Sequence, residues 1–235
     1  MLRERLLWCY NALLAAYGPQ GWWPGDGPFE VMVGAVLTQN TAWRNVERAL
    51  DNLQAAGVLS PAGLRDVPRA QLEALLRPAG YYRVKAGRLQ SLLAYLFREH
   101  GGDPTALARG EVATLRPALL AVPGVGPETA DSILLYAANL PTFVVDAYTR
   151  RLLDRLGWIA AADLGAPPRR GPLTPLTASY EHLRSLFLAH LPLDTALYNE
   201  YHALIVRHAK ERCRNREPRC EGCALLRSCG RRIGS

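Results

Sequence analysis

The stretch LLAVPGVGPETADSILLYAANLPTFVVDAY, residues 119–148, sets the turn Pro123-Gly124-Val125-Gly126-Pro127 between two segments of helical apolar periodicity, and an aspartate, Asp146, follows near its end. Glycine at Gly124 and Gly126 permits positive φ and lets backbone amides approach a phosphate closely, while the N-terminus of the next helix adds a favourable dipole. Such a turn, with Val125 between its glycines, can grip a polyanion without reading sequence, although a Gly-x-Gly turn alone more often just connects two helices. Asp146 directly precedes an apolar-periodic helix that starts at Ala147, which is the position of an N-cap. The dipole that favours a cap also keeps a carboxylate ionised.

Outward from this stretch, apolar residues recur at helical spacing near 30–38, 42–56, 69–77, 84–99, 113–120, 127–138, 147–156, 176–190 and 195–211. Period-two alternation is nearly absent, and Gly57, Arg77-Pro78-Ala79-Gly80 and Gly101-Gly102-Asp103-Pro104 punctuate the helices. The pattern predicts an all-α architecture. The segment from Ala160 to Thr177, rich in Pro, Gly and Ala and carrying Arg169 and Arg170, reads as a surface loop, and the residues after Cys229 as a frayed end. At the N-terminus, Leu6, Leu7, Tyr10, Leu13, Leu14 and Tyr17 recur at helical spacing, which fits a packed amphipathic helix better than a cleaved leader. No apolar run approaches the ~20 residues of a membrane span, so a cytosolic protein without a membrane partner is expected.

The 235 residues suffice for two compact halves, and the net charge of +7 favours a polyanionic partner through counterion release. Nearly all the positive charge is arginine, for lysine occurs only at Lys85 and Lys210. Cys213, Cys220, Cys223 and Cys229 are spaced C-x6-C-x2-C-x5-C, a density that argues for metal ligation rather than disulfides in a non-secreted chain. Four thiolates hold either a tetrahedral zinc ion or an iron–sulfur cluster, and ligand type alone does not choose. Arg212, Arg214, Arg216 and Arg219 lie beside or between the first two ligands, either as phosphate contacts on a metal-folded loop or as a solvated surface. Cys9 is left over as a buried apolar thiol.

The hairpin, the stretch LPTFVVDAYTRRLLDRLG and the cysteine spacing together resemble the helix-hairpin-helix DNA glycosylases of the endonuclease III family, over roughly residues 28 to 229. The resemblance implies two helical domains with the substrate cleft between them. One is a six-helix domain over 28–140 containing the hairpin at about 113–138, and the other is built from 1–27 and 141–212. It further implies a loop, 213–229, whose four cysteines bind a [4Fe-4S] cluster. Asp146 falls on the family's catalytic aspartate, where an ionised carboxylate stabilises oxocarbenium-like charge and activates water. Gln39, in VLTQNTAWRNV (residues 36–46), falls on the glutamine that fills the gap left by the extruded nucleotide, with Asn40 and Thr41 as neighbours for the orphaned base. Read without the resemblance, these three are ordinary polar residues at a helix C-terminus.

Family members that also nick the backbone carry a lysine where Glu128 stands, because a primary amine must form a Schiff base with the sugar. A carboxylate cannot, so a monofunctional glycosylase is expected, although Glu128 in a first helical turn also has a purely structural use. The resemblance puts Lys85 on a helix away from the pocket, solvated or phosphate-facing. Trp22 and Trp23 before Pro24, and Trp43 after the Gln39 segment, are the candidate base pocket together with Tyr148; packing at a domain seam is their plainer reading. Aromatic faces stack on a flipped base and attract a cationic one more strongly. Trp-Trp-Pro, LTQNTAW, Gly-x-Glu-Thr-Ala-Asp and VVDAYTRRL resemble most the bacterial 3-methyladenine DNA glycosylases built on this scaffold. That implies a monomer acting on double-stranded DNA with a damaged base, in the bacterial cytoplasm at the nucleoid. The rivals are a bifunctional oxidised-pyrimidine glycosylase and abasic lyase, and a catalytically idle DNA-binding iron–sulfur module.

Overall fold

Helix α2 (Gly27–Leu37) is apolar on every side because it is enclosed on every side. Every residue from Val31 to Leu37 is buried, which is the sequence signature of a central rather than a surface helix. Around it, in the computed structural model, stand α3 (Trp43–Ala55), α4 (Pro61–Asp66), α5 (Arg69–Leu75), α6 (Tyr82–His100), α7 (Val112–Leu120) and α8 (Pro127–Ser132). The model describes residues 1–165 and 171–230; Arg169 and Arg170 of the expected loop, and all but the first residue after Cys229, lie outside the described residues. Among the described residues there is no strand, in agreement with the all-α reading.

The chain divides into two compact units, one running from Trp23 to Leu140 and the other joining Met1–Trp22 to the chain from Pro141 onward. In the first unit, α3 shows how sequence sets orientation. Val46, Ala49, Leu50 and Leu53, at i, i+3, i+4 and i+7, are its buried face. Helix α4 was not foreseen, being only six residues long; the Ser60 hydroxyl caps it by accepting the Gly63 amide. With α4 this unit holds seven α-helices where six were expected. The helix expected over 127–138 is α8 followed by a π-helical turn, Ile133–Ala137, that packs on α2. Helices α7 and α8, the two arms of the hairpin, are tied by a buried bidentate pair in which Arg116 donates from Nε and Nη2 to the Asp131 carboxylate, 2.9 Å each. Asp131 is fully buried, so the pair fixes the angle between the arms.

The second unit contains α1 (Leu2–Tyr17), α9 (Ala147–Leu156), α10 (Tyr180–His190) and α11 (Thr195–Glu211). Its core stacks Phe143 on Phe187 at 3.8 Å and surrounds them with Tyr198 and Tyr201. The Tyr201 hydroxyl donates to the Leu6 carbonyl at 2.9 Å. Cys9 is fully buried beside it, its pKa pushed up to about 12 by burial, as befits an apolar thiol. Helix α10 starts later than the periodicity suggested because the Ser179 hydroxyl accepts the His182 amide and caps it there.

Candidate active site and metal centre

Asp146 stands where the extended segment 142–145 turns into α9. Its Oδ1 accepts the Thr149 amide at 2.7 Å, a side-chain N-cap, and its Oδ2 lies 3.6 Å from Nε2 of His202 on α11. The carboxylate is 14 % exposed. Burial pushes its pKa up, but His202 and the Thr149 amide outweigh burial and hold it below the usual value. It is therefore an ionised group at a helix N-terminus. His202 escaped the sequence reading although a signal was present, since it falls on the apolar face of α11 that Tyr198, Tyr201 and Ile205 share.

In the other unit the hairpin is held by contacts the sequence only half indicates. Gly124 has φ +88°, and a Cβ there would lie 2.2 Å from Cγ of Arg88, so glycine is required both by conformation and by space. Gly126 departs from the expectation of positive φ: it is extended at −93° and caps α8, with open space where a side chain would stand. Val125 is buried and its amide donates to the Val122 carbonyl. Glu128 is exposed in the first turn of α8.

Gln39 lies against this hairpin. Its Nε2 donates to the Gly124 carbonyl at 3.0 Å and to Thr129 Oγ1 at 2.9 Å, and its Oε1 accepts from Arg88. Asn40 is exposed in the left-handed conformation that Asn tolerates. Thr41 is turned inward, donating to the Ala79 carbonyl. Lys85 corrects the sequence reading. It is neither solvated nor phosphate-facing but 1 % exposed, and its ammonium donates to the carbonyls of Leu37 and Ala79 at 2.7 Å and to Thr41 Oγ1 at 2.9 Å. Next to this loop, Tyr81 is left-handed at φ 45° and 73 % exposed, a strained, solvent-facing aromatic that the sequence reading passed over.

Trp23 and Trp43 meet edge to face at 5.1 Å, and Tyr136 lies 5.1 Å from Trp23, making an aromatic group on the surface of α2. Gly34 opens the room for it, as a Cβ there would meet both indoles at 3.5–3.6 Å. Tyr136 was missed because the LLYA run reads as plain core. Trp22 and Tyr148 belong to the other unit. The Tyr148 ring faces the Arg151 guanidinium at 5.1 Å and the Lys210 ammonium at 5.9 Å.

The four cysteines of the tail, Cys213, Cys220, Cys223 and Cys229, all line one cavity with Leu152, His208 and Leu225. Among the described residues no three His, Cys, Asp or Glu side chains come together closely enough to chelate a single ion. Burial pushes the Cys223 thiol up, and Cys213, Cys229 and Cys220 raise it further; a cationic group within the cavity relieves that crowding. Four thiols around one cavity are a soft donor set, of the kind that zinc or iron–sulfur groups take. Arg155, on the buried face of α9 three residues after Leu152, anchors the loop by donating to the carbonyls of Cys213, Arg214 and Asn215 and to Cys213 Sγ at 3.2 Å. Arg214, Arg216 and Arg219 are exposed.

An all-helical protein with a glycine hairpin, a capping aspartate and a cysteine-lined tail defines a class, and the comparisons agree with it. Residues 33–165 match the HhH-GPD superfamily of base excision DNA repair proteins, and the chain belongs to that superfamily. Several of its relatives are endonucleases III. The chain is 41% identical to a putative DNA repair glycosylase of Methanocaldococcus jannaschii, over 96% of each chain, and 30% identical to the endonuclease III of Thermotoga maritima, over 86% of this chain and 82% of that one. Among solved structures, an endonuclease III bound non-covalently to DNA superposes with a TM-score of 0.77 at 23% identity, covering 98% of this chain and 95% of that one. The 3-methyladenine DNA glycosylase of H. pylori, bound to 1,N6-ethenoadenine, gives 0.69 at 26% identity over 89% and 97%.

Proposed function

We propose that this endonuclease III-family DNA glycosylase is monofunctional and directed at alkylated purines such as 3-methyladenine in duplex DNA. The observation that carries the reading is Asp146, a carboxylate kept ionised at the start of α9, combined with a carboxylate, Glu128, in place of an amine after the hairpin. The C1′–N bond of the extruded nucleoside breaks as water oxygen bonds to C1′. Asp146 stabilises the positive charge growing on the sugar and takes the proton of the attacking water, while the bond electrons leave with the base. An N3-alkylated purine carries positive charge and departs without strong acid assistance, so one carboxylate suffices. Trp23 and Trp43, with Tyr136, offer π-faces that stack on such a base, with Trp22 as a further pocket residue. The glycosylase from H. pylori, described as acting on 3-methyladenine, lends support to this choice.

Gln39, Asn40 and the exposed Tyr81 would fill or flank the emptied stack, with Thr41 bracing their loop from within, and Gly124–Gly126 with Arg214, Arg216 and Arg219 would hold phosphates. The decisive assay runs methylated, oxidised and mismatched duplexes with and without alkali, alongside borohydride trapping. Alkylpurine release that yields strand breaks only after alkali, with no trapped adduct, is the expected result; efficient trapping sinks the monofunctional reading.

Cys213, Cys220, Cys223 and Cys229 would hold a [4Fe-4S] cluster, which when bound supplies the cross-links that fold a short basic loop. The purified protein is expected to absorb at about 400 nm, the sulfur-to-iron charge-transfer region. Cys223→Ala should abolish the band and weaken binding to undamaged duplex, and a colourless, zinc-containing wild type would overturn the assignment.

A further inference from the structure

Asp146 is held at both carboxylate oxygens, and helix capping explains only one of the holds. Oδ1 accepts the Thr149 amide, whereas Oδ2 faces His202 Nε2, 3.6 Å away on α11. His202 is 5 % exposed on the apolar face of its helix, with its ring edge-on to Phe143. A polar ring in such a setting is costly unless a partner compensates it, and Asp146 is a charged partner that does so. On α9, Arg150 donates to the carbonyls of Pro175 and Ala178, and Arg151 to those of Cys213 and Ala209. From the segment before α9, Thr142 takes up Arg184 Nε. His202 is thus the titratable group that acts on the carboxylate.

We propose that His202 is a positioning residue for base excision, fixing the plane of the Asp146 carboxylate together with the Thr149 amide and keeping it ionised in acid. The inference rests on the reading of Asp146 as the catalytic group. Without the imidazole, burial of Asp146 is opposed by Thr149 alone, through its amide and side chain, so the carboxylate protonates at higher pH.

The test is single-turnover release of an alkylated purine across pH by wild type, His202→Ala, His202→Gln and Asp146→Asn, each checked by thermal melting. His202→Ala is expected to move the acid limb up by about one pH unit and to lower the neutral plateau by about tenfold. His202→Gln, uncharged yet still able to donate a hydrogen bond, is expected to recover much of the plateau but not the position of the limb. A packing role alone would not shift the limb. An unshifted limb in folded His202→Gln overturns the proposal, and this variant decides the matter even if His202→Ala fails to fold. Undiminished release by Asp146→Asn sinks the catalytic reading and this inference with it. Loss of release in Asp146→Asn with a wild-type limb in the histidine variants sinks the positioning role alone.

Discussion

Asp146→Asn is expected to slow base release by at least about a hundredfold while leaving the fold and duplex binding close to wild type. The separation of effects follows from the cap that Asp146 forms and the separate catalytic role proposed for it. As an N-cap it accepts the Thr149 amide through Oδ1, and asparagine caps about as well through its own carbonyl oxygen. As a catalyst it must carry negative charge opposite a sugar that becomes cationic, and asparagine has none to offer. Stability should respond in one pH window. The folded pKa of Asp146 lies below its ordinary value, so its ionisation contributes stability that is present above the ordinary carboxylate range and lost as pH falls through the lower folded value. Melting curves of wild type and variant should therefore converge in acid and differ modestly at neutral pH, where excision differs most. Undiminished excision by a well-folded Asp146→Asn protein would remove Asp146 from the catalytic role and pass it to another group.

The capping role of Asp146 was legible in the sequence because the residue stands directly before an apolar-periodic helix, where the proposed catalysis also wants a carboxylate. The helices were legible for a related reason. In α3 the apolar residues fall at i, i+3, i+4 and i+7, and burial follows that pattern residue for residue. Local rules ran out where the partner comes from far along the chain. His202 faces a residue of another helix, and Arg155 reaches past its own helix to the loop after α11. In both cases the sequence did carry a trace, a polar residue on an otherwise apolar helical stripe, which marks a buried polar contact without naming its partner.

The hairpin glycines show the opposite limit. Composition treats Gly124 and Gly126 alike, yet only Gly124 adopts positive φ and lies under Arg88, whereas Gly126 is extended with empty space before it. Tyr136 was hidden by its apolar neighbours, and the Tyr148 ring is met by two cations, one of them from α11. Aromatic residues in sequence announce that something is stacked; they do not say whether it is an indole, a guanidinium or a base.

Lysine 85 supplies the other large effect, since Lys85→Met is expected to cost roughly 2–4 kcal/mol of stability. Its ammonium satisfies the Leu37 carbonyl at the C-terminal end of α2, the Ala79 carbonyl and the Thr41 hydroxyl; methionine fills the volume but removes all three bonds, and Ala79 keeps only the Thr41 hydroxyl as donor. The same three bonds bear on the lyase question. A Schiff base requires a free amine at the sugar, and all three N–H groups of Lys85 are directed at protein acceptors. Burial, aided by Arg88, brings its pKa down to about 8. Below that value the folded protein carries a buried charge, and between about 8 and the ordinary lysine value of 10.5 the unfolded chain binds the extra proton, so stability attributable to this group rises with pH across that window. Denaturant melts at pH 7 and pH 9.5 should show that rise in the difference between wild type and Lys85→Met, where contributions common to both proteins cancel. Duplex binding by the variant should weaken as well, because Thr41 and the loop bearing Gln39 lose their anchor. A Lys85→Met protein that melts like wild type but loses a borohydride-trapped adduct formed by wild type would reverse the conclusion and make this lysine the missing amine.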